Sequence, residues 1–210
     1  VRSKNFIKIC GITNYGDAAA SIDAGATAIG FNFFPKSKRY IAPERAKEIA
    51  DKVRGNIYLV GVFVNEEYET VRSIAASVKL TYCQFHGDES AEYVNRFGNA
   101  IKAFRINESL KNVSFDDHNT VAFLLDAFQE NEYGGTGMSF NWLLAREANQ
   151  FGKIILAGGL NERNVADAIS TAEPWGVDVS SGVEISPGIK DKEKIKNFIT
   201  TAVNAFVHLS

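Results

Sequence analysis

The chain has 210 residues, enough to bury a substantial core in a single domain and close to the lower limit for a closed eight-stranded α/β barrel. Its 23 Lys plus Arg nearly balance 25 Asp plus Glu, and the net charge of -2 offers neither the broad basic face that nucleic acid requires nor an acidic tail. Two cysteines are too few for a disulfide scaffold, no Cys-x-x-Cys or His-rich cluster suggests a metal, and no apolar run approaches the roughly 20 residues of a membrane span; a reduced, cytoplasmic protein is expected.

In chain order, the apolar, β-branched runs that read as strands are Phe6 to Ile9, Ala28 to Phe33, Tyr58 to Val64, Tyr82 to Phe85 and Ala100 to Ile106, then Thr120 to Leu125, Lys153 to Leu156 and Gly176 to Val179. Their starts lie on average about 24 residues apart, which suits a strand, a helix and two short loops. The helices between them carry one apolar stripe each: Ala46, Ile49, Ala50 and Val53; Val71, Ile74, Ala75 and Val78; and Ile195, Phe198, Ile199, Ala202 and Phe206. Pro43 fits the first turn of its helix and Asn161 is the candidate N-cap before Val165. The fifth helix is the least marked, because Leu110 to His118 holds few apolar residues and is expected to make at most a single turn. Eight βα units predict a single-domain (β/α)8 barrel over residues 1–210; the same local patterns also permit an open doubly wound sheet, but no Gly-x-Gly-x-x-Gly follows the first strand.

The chemically suggestive residues cluster just beyond strand ends: Cys10 after the first strand, Arg39 in the second βα loop, His86 after the fourth strand and Asp126 after the sixth. Gly158-Gly159 and Ser180-Ser181-Gly182 follow the seventh and eighth. In a barrel these positions converge on the C-terminal face, where such enzymes keep their chemistry. Gly134-Gly135-Thr136-Gly137 and the two later loops bring backbone N–H groups close to a ligand, which favours an anion, and loops after strands seven and eight often hold phosphate. A phosphorylated small molecule is the expected partner; tight turns are the plain alternative. Arg39 offers a fork for a carboxylate, or belongs to a solvated basic loop with Lys36 and Lys38. Cys83, mid-strand, reads as a small buried hydrophobe, whereas Cys10 stands at a strand end before Gly11. Asp126 follows Leu124-Leu125, a setting in which a bare carboxylate is costly, and His86 either serves the site or bonds a neighbouring loop.

Taken together, the motifs resemble the phosphoribosylanthranilate isomerase family of tryptophan biosynthesis. The resemblance rests on Lys8-Ile9-Cys10-Gly11-Ile12-Thr13, Ser37-Lys38-Arg39-Tyr40, Gln84-Phe85-His86-Gly87-Asp88-Glu89, Leu125-Asp126-Ala127, Gly134-Gly135-Thr136-Gly137, Leu156-Ala157-Gly158-Gly159-Leu160 and Asp178-Val179-Ser180-Ser181-Gly182-Val183-Glu184. It implies a cofactor-free Amadori rearrangement with Cys10 as general base, Asp126 as general acid and Arg39 on the anthranilate carboxylate. It also implies His86 in the active site and Gly135, Thr136, Gly137, Gly158, Gly159, Ser180, Ser181 and Gly182 around the phosphate. Lys38 and Met138-Ser139-Phe140-Asn141 depart from the commoner residues of those loops.

Ordinary pKa values, about 3.9 for Asp and 8.5 for Cys, would instead make aspartate the base and the thiol the acid. An ordinary aspartate is protonated about one part in a thousand at pH 7, a deficit of roughly 4 kcal/mol, so the site has to raise it. Burial beside Leu124 and Leu125 and the phosphate dianion are the expected causes, with either a nearby positive dipole or the His86 imidazolium expected to assist Cys10. A related histidine-pathway isomerase is a competing reading, opposed by Cys10 and Arg39; a silent phosphate-binding barrel is another, opposed by Cys10 with Asp126. Monomer and homodimer both stand open.

Overall fold

The computed structural model describes residues 5–106, 109–111, 113–126 and 142–209. Eight parallel strands close on themselves in chain order: β1 (Phe6–Cys10), β2 (Ala28–Asn32), β3 (Tyr58–Phe63), β4 (Tyr82–Phe85), β5 (Ala100–Arg105), β6 (Ala122–Asp126), β7 (Ile154–Ala157) and β8 (Gly176–Val179). Closure excludes the open doubly wound sheet. Helices α1 (Tyr15–Ala24), α2 (Pro43–Val53), α3 (Tyr68–Val78), α4 (Ala91–Val94), α5 (Trp142–Ala148), α6 (Val165–Ala172) and α7 (Lys192–His208) lie between and after the strands, and a small antiparallel pair, β9 (Glu184–Ser186) with β10 (Ile189–Lys190), follows β8.

The period-two alternation of each strand divides the core. Outward residues such as Ile7, Ile9, Phe31, Phe63 and Leu125 meet the helix stripes in one large cluster that includes Ala46, Ile49, Val71, Phe198 and Ile199. Each large side chain removed from water there contributes roughly 1.5–3 kcal/mol. Inward residues build the barrel in layers. At the N-terminal end Phe6 stacks on Trp175 at 5.0 Å and meets Tyr82 edge-on at 6.2 Å, sealing the floor. Val60, Ile101, Leu124 and Ile155 fill the space above.

Local signals explain the helix ends. Asn14 caps α1 by accepting from the Asp17 N–H, Gly25 ends it at φ 99°, and Asp191 caps α7 by accepting from the Glu193 and Lys194 N–H groups. Pro43 begins α2 as expected. The cap before Val165 is Asn164 rather than Asn161: the Asn164 carboxamide turns back to accept from the Asn161 N–H, while the Asn161 carbonyl takes the N–H of Val165. No helix forms among the described residues between β5 and β6. Phe115 does a helix's packing there, buried against Phe104 and Phe123 and stacked on Phe151 at 4.7 Å.

Candidate active site

Strand parity decides what reaches the mouth of the barrel. Cys10 and Asp126 are the last residues of β1 and β6 rather than the first beyond them, and both share the inward parity of their strands. They line one cavity of about 410 Å³, within the size range of small-molecule sites, together with Arg39, His86, Gly158, Gly159, Ser180 and Ser181. Gly135, Thr136 and Gly137 lie outside the described residues. Gly182 does not line the cavity; a side chain there would collide with the Leu160 carbonyl oxygen, so its bareness lets the loop after β8 pack on the loop after β7.

A layer below the mouth the barrel interior is polar. Lys8, between the outward Ile7 and Ile9, is fully buried and its ammonium donates to Asp178 Oδ2 at 2.8 Å and to Gln84 Oε1 at 2.9 Å. It also lies against the Cys10 thiol. Burial pushes the thiol up and Asp178 adds to that, while Lys8 and Lys190 pull the other way; the net direction is upward. Burial works against the Lys8 ammonium, yet Asp178 and Cys10 outweigh it and raise its pKa. Asp178 Oδ1, buried on a side chain that lines the cavity, has no hydrogen-bond partner among the described residues.

His86 stands opposite. Its Nε2 is 3.2 Å from Asp126 Oδ2 and its Nδ1 is 3.2 Å from Gln84 Nε2. The imidazole therefore serves Asp126, not Cys10, and the cation at the thiol is Lys8. Leu125 faces the helices; of the two leucines only Leu124 lies inside the barrel beneath Asp126, whose side chain is 21% exposed.

Arg39 comes to the rim from the loop after β2. It is paired rather than free in solvent: Nε and Nη2 donate to Glu184 Oε1 and Oε2 at 2.8 and 2.6 Å, leaving the Nη1 edge without a partner among the described residues. Gly11, at φ 77°, makes the crossing possible, since a Cβ there would sit 2.7 Å from Arg39 Cδ. Glu184 also accepts from Lys190 Nζ at 2.9 Å and from the Gly188 N–H at 3.2 Å. Burial alone would raise the Glu184 carboxyl, but Arg39 and Lys190 hold it below the usual range. Ser180 donates its hydroxyl to the Cys10 carbonyl at 3.2 Å, tying β8 to the thiol strand. Gly158 and Gly159 follow β7 with φ 83° and 65°, a left-handed pair that favours glycine. Cys83 faces the helices with its thiol pushed by burial to about 12, as befits a packing residue.

Lys8, Gln84, Asp178, Glu184 and Lys190 were assigned no role by sequence reasoning, although a signal existed. Lys8 and Asp178 interrupt apolar parallel strands and Gln84 sits two residues before His86, all at the parity that points inward.

A family model described as N-(5'phosphoribosyl)anthranilate (PRA) isomerase matches residues 7–201. The N-(5'-phosphoribosyl)anthranilate isomerase of Geotalea uraniireducens is 46% identical over 197 residues, 93% of this chain and 97% of the relative. The crystal structure of phosphoribosyl anthranilate isomerase from Thermotoga maritima superposes with a TM-score of 0.87 at 42% identity, covering 95% of this chain and 99% of that one. A structure of the isomerase in complex with reduced 1-(o-carboxyphenylamino)-1-deoxyribulose 5-phosphate gives a TM-score of 0.85 at 40% identity, over 95% and 99% of the two chains. With its closed barrel, its cysteine and aspartate at one cavity and relatives of this likeness over nearly its whole length, the chain belongs to the N-(5'-phosphoribosyl)anthranilate isomerase family.

Proposed function

We propose that this chain converts N-(5-phosphoribosyl)anthranilate into 1-(2-carboxyphenylamino)-1-deoxyribulose 5-phosphate by acid–base catalysis, with Asp126 and Cys10 as the two proton-transfer groups. The observation that carries the reading is the placing of these side chains on β6 and β1 around one cavity. Asp126 gives its proton to the ring oxygen as the C1–O bond opens, leaving an iminium at C1. Cys10, as thiolate, then takes the C2 proton; the resulting enolamine becomes the ketone by gaining a proton at C1 as its C2 hydroxyl gives one up, and the proton held by Cys10 returns through solvent to Asp126, restoring both groups. No atoms are lost or gained, and the scheme needs neither an electron carrier nor a nucleophile.

Substrate placement follows from the rim. The Nη1 edge of Arg39 is a second fork for the anthranilate carboxylate, steadied from behind by Glu184. Gly158, Gly159, Ser180 and Ser181 would take the phosphate, joined by Gly135, Thr136 and Gly137; the short helical turn Ser181–Val183 after β8 fits the phosphate site common in this fold. Asp178 Oδ1 is an acceptor suited to a sugar hydroxyl. Burial raises the Cys10 thiol, which works against the thiolate, and Lys8 is the cation that favours it. Generating the substrate in situ and following loss of its anthranilate fluorescence tests the proposal: turnover above buffer is expected, and a rate equal to buffer would reject it.

A further inference from the structure

Two buried side chains, Lys8 and Gln84, connect the proposed base to the proposed acid. Lys8 can only donate, so the Gln84 atom 2.9 Å from it is the amide oxygen, and the amide nitrogen is thereby turned toward His86 Nδ1 at 3.2 Å. An NH2 group can only donate to that ring nitrogen, which must then be the unprotonated one. The ring's single proton lies on Nε2, pointing at Asp126 Oδ2. Of the titratable side chains that line the cavity, Cys10, Arg39, Asp126 and Asp178, only Asp126 contacts the imidazole among the described residues.

We propose that Gln84, oriented by the Lys8–Asp178 pair, is a positioning residue that holds His86 as the neutral Nε2–H tautomer and so keeps Asp126 able to act as an acid. An unconstrained imidazole beside a carboxylic acid takes its proton and forms an imidazolium–carboxylate pair. Here Nε2 already carries a proton and Nδ1 is capped by an amide N–H, so that transfer is closed. His86 still donates to Oδ2 and fixes the plane of the carboxyl. Lys8 thus acts on both ends of the site, on the Cys10 thiol directly and on Asp126 through Gln84 and His86. The inference rests on the reading of Asp126 as the acid, but its structural content is separate.

Nitrogen-15 NMR of the ligand-free protein reads the tautomer directly, with His86→Asn assigning its signals among the three histidines. The wild type is expected to show neutral His86 protonated on Nε2 at the pH of the activity assay. Gln84→Glu, nearly isosteric, puts an acceptor against Nδ1 and should convert His86 to imidazolium while lowering kcat about 10- to 100-fold. Lys8→Met combined with Asp178→Asn frees the amide to turn and should shift His86 toward the Nδ1–H form. A wild-type His86 that is imidazolium or Nδ1–H at pH 7 would overturn the proposal whatever the variants do, as would an unchanged tautomer in folded Gln84→Glu. Full turnover by Asp126→Asn would instead remove the acid assignment and leave the tautomer result standing.

Discussion

Gly30 is the most stringent place to test whether the thiol's position matters. It faces the barrel interior on β2 directly beside Cys10 in the strand register, and a Cβ added there would lie 2.9 Å from Cys10 Sγ, 2.9 Å from Lys8 Cε and 3.3 Å from Cys10 Cα. Non-bonded atoms settle at about 3.5–4.0 Å, so Gly30→Ala forces Cys10 Sγ and Lys8 Cε back by roughly 0.6–1.1 Å and Cys10 Cα by roughly 0.2–0.7 Å. Lys8 has little freedom, held at 2.8 and 2.9 Å by Asp178 and Gln84 inside a closed barrel. The thiol therefore swings away. A displacement near 1 Å at a reacting atom costs on the order of 100-fold in rate. Overpacking adds about 1–3 kcal/mol of destabilisation, a fall in Tm of roughly 2–12 °C for a chain of this size. Single-turnover fluorescence on substrate generated in situ, alongside a thermal melt, measures both. A variant with the wild-type rate and an unchanged melt would refute the claim that this glycine clears space for catalytic geometry.

Arg39→Ala should raise KM chiefly, and also cost about 1–3 kcal/mol because the buried Glu184 carboxylate loses its fork; Arg39→Ala with Glu184→Gln should regain stability in urea unfolding but not KM. Glu184 titrates below its ordinary value in the folded protein, so its contribution is complete above about pH 4.5 and is lost as pH falls through the lower folded value. The stability difference between wild type and Glu184→Gln should be constant above that pH and narrow below it; a difference unchanged down to about pH 3 would contradict the Arg39–Glu184–Lys190 account. Iodoacetamide should label Cys10 faster as pH rises, with a midpoint above the ordinary thiol range, and spare Cys83, whose thiol stands at about 12, until the chain unfolds. Labelling of Cys83 in the native protein would show that its packing is misjudged.

The barrel was legible because its strands and helix stripes follow simple periods, and because a strand's end sets which face of the molecule a residue reaches. That rule alone brings Cys10, His86 and Asp126 to the mouth of the barrel, where they line one cavity. It does not reveal their partners. Sequence spacing gives no reason to pair Lys8 with Asp178, 170 positions away, or Arg39 with Glu184, 145 away; closure of the barrel and the β9–β10 hairpin create those contacts. The expectation that two leucines enclose Asp126 failed on parity, since adjacent strand residues face opposite sides and Leu125 belongs to the helix layer. Of the alternatives open for the group beside Cys10, the His86 imidazolium is not the one the barrel supplies: β4 lies nearer β6 than β1 is to either, and Gln84 steers the ring toward Asp126. Leu110 to His118 has too few apolar residues for a helix stripe, and Phe115, with Leu110 and Val113 beside it, covers that side of the barrel instead.

The division of labour between Cys10 and Asp126 is most directly tested by single-turnover rates of wild type, Cys10→Ser and Asp126→Asn, with binding of reduced product measured by calorimetry in each. Both variants are expected to bind within a few-fold of wild type and to lose about 100- to 10,000-fold in rate, the span of a lost proton-transfer group. Either variant turning over at nearly the wild-type rate would contradict the acid–base assignment.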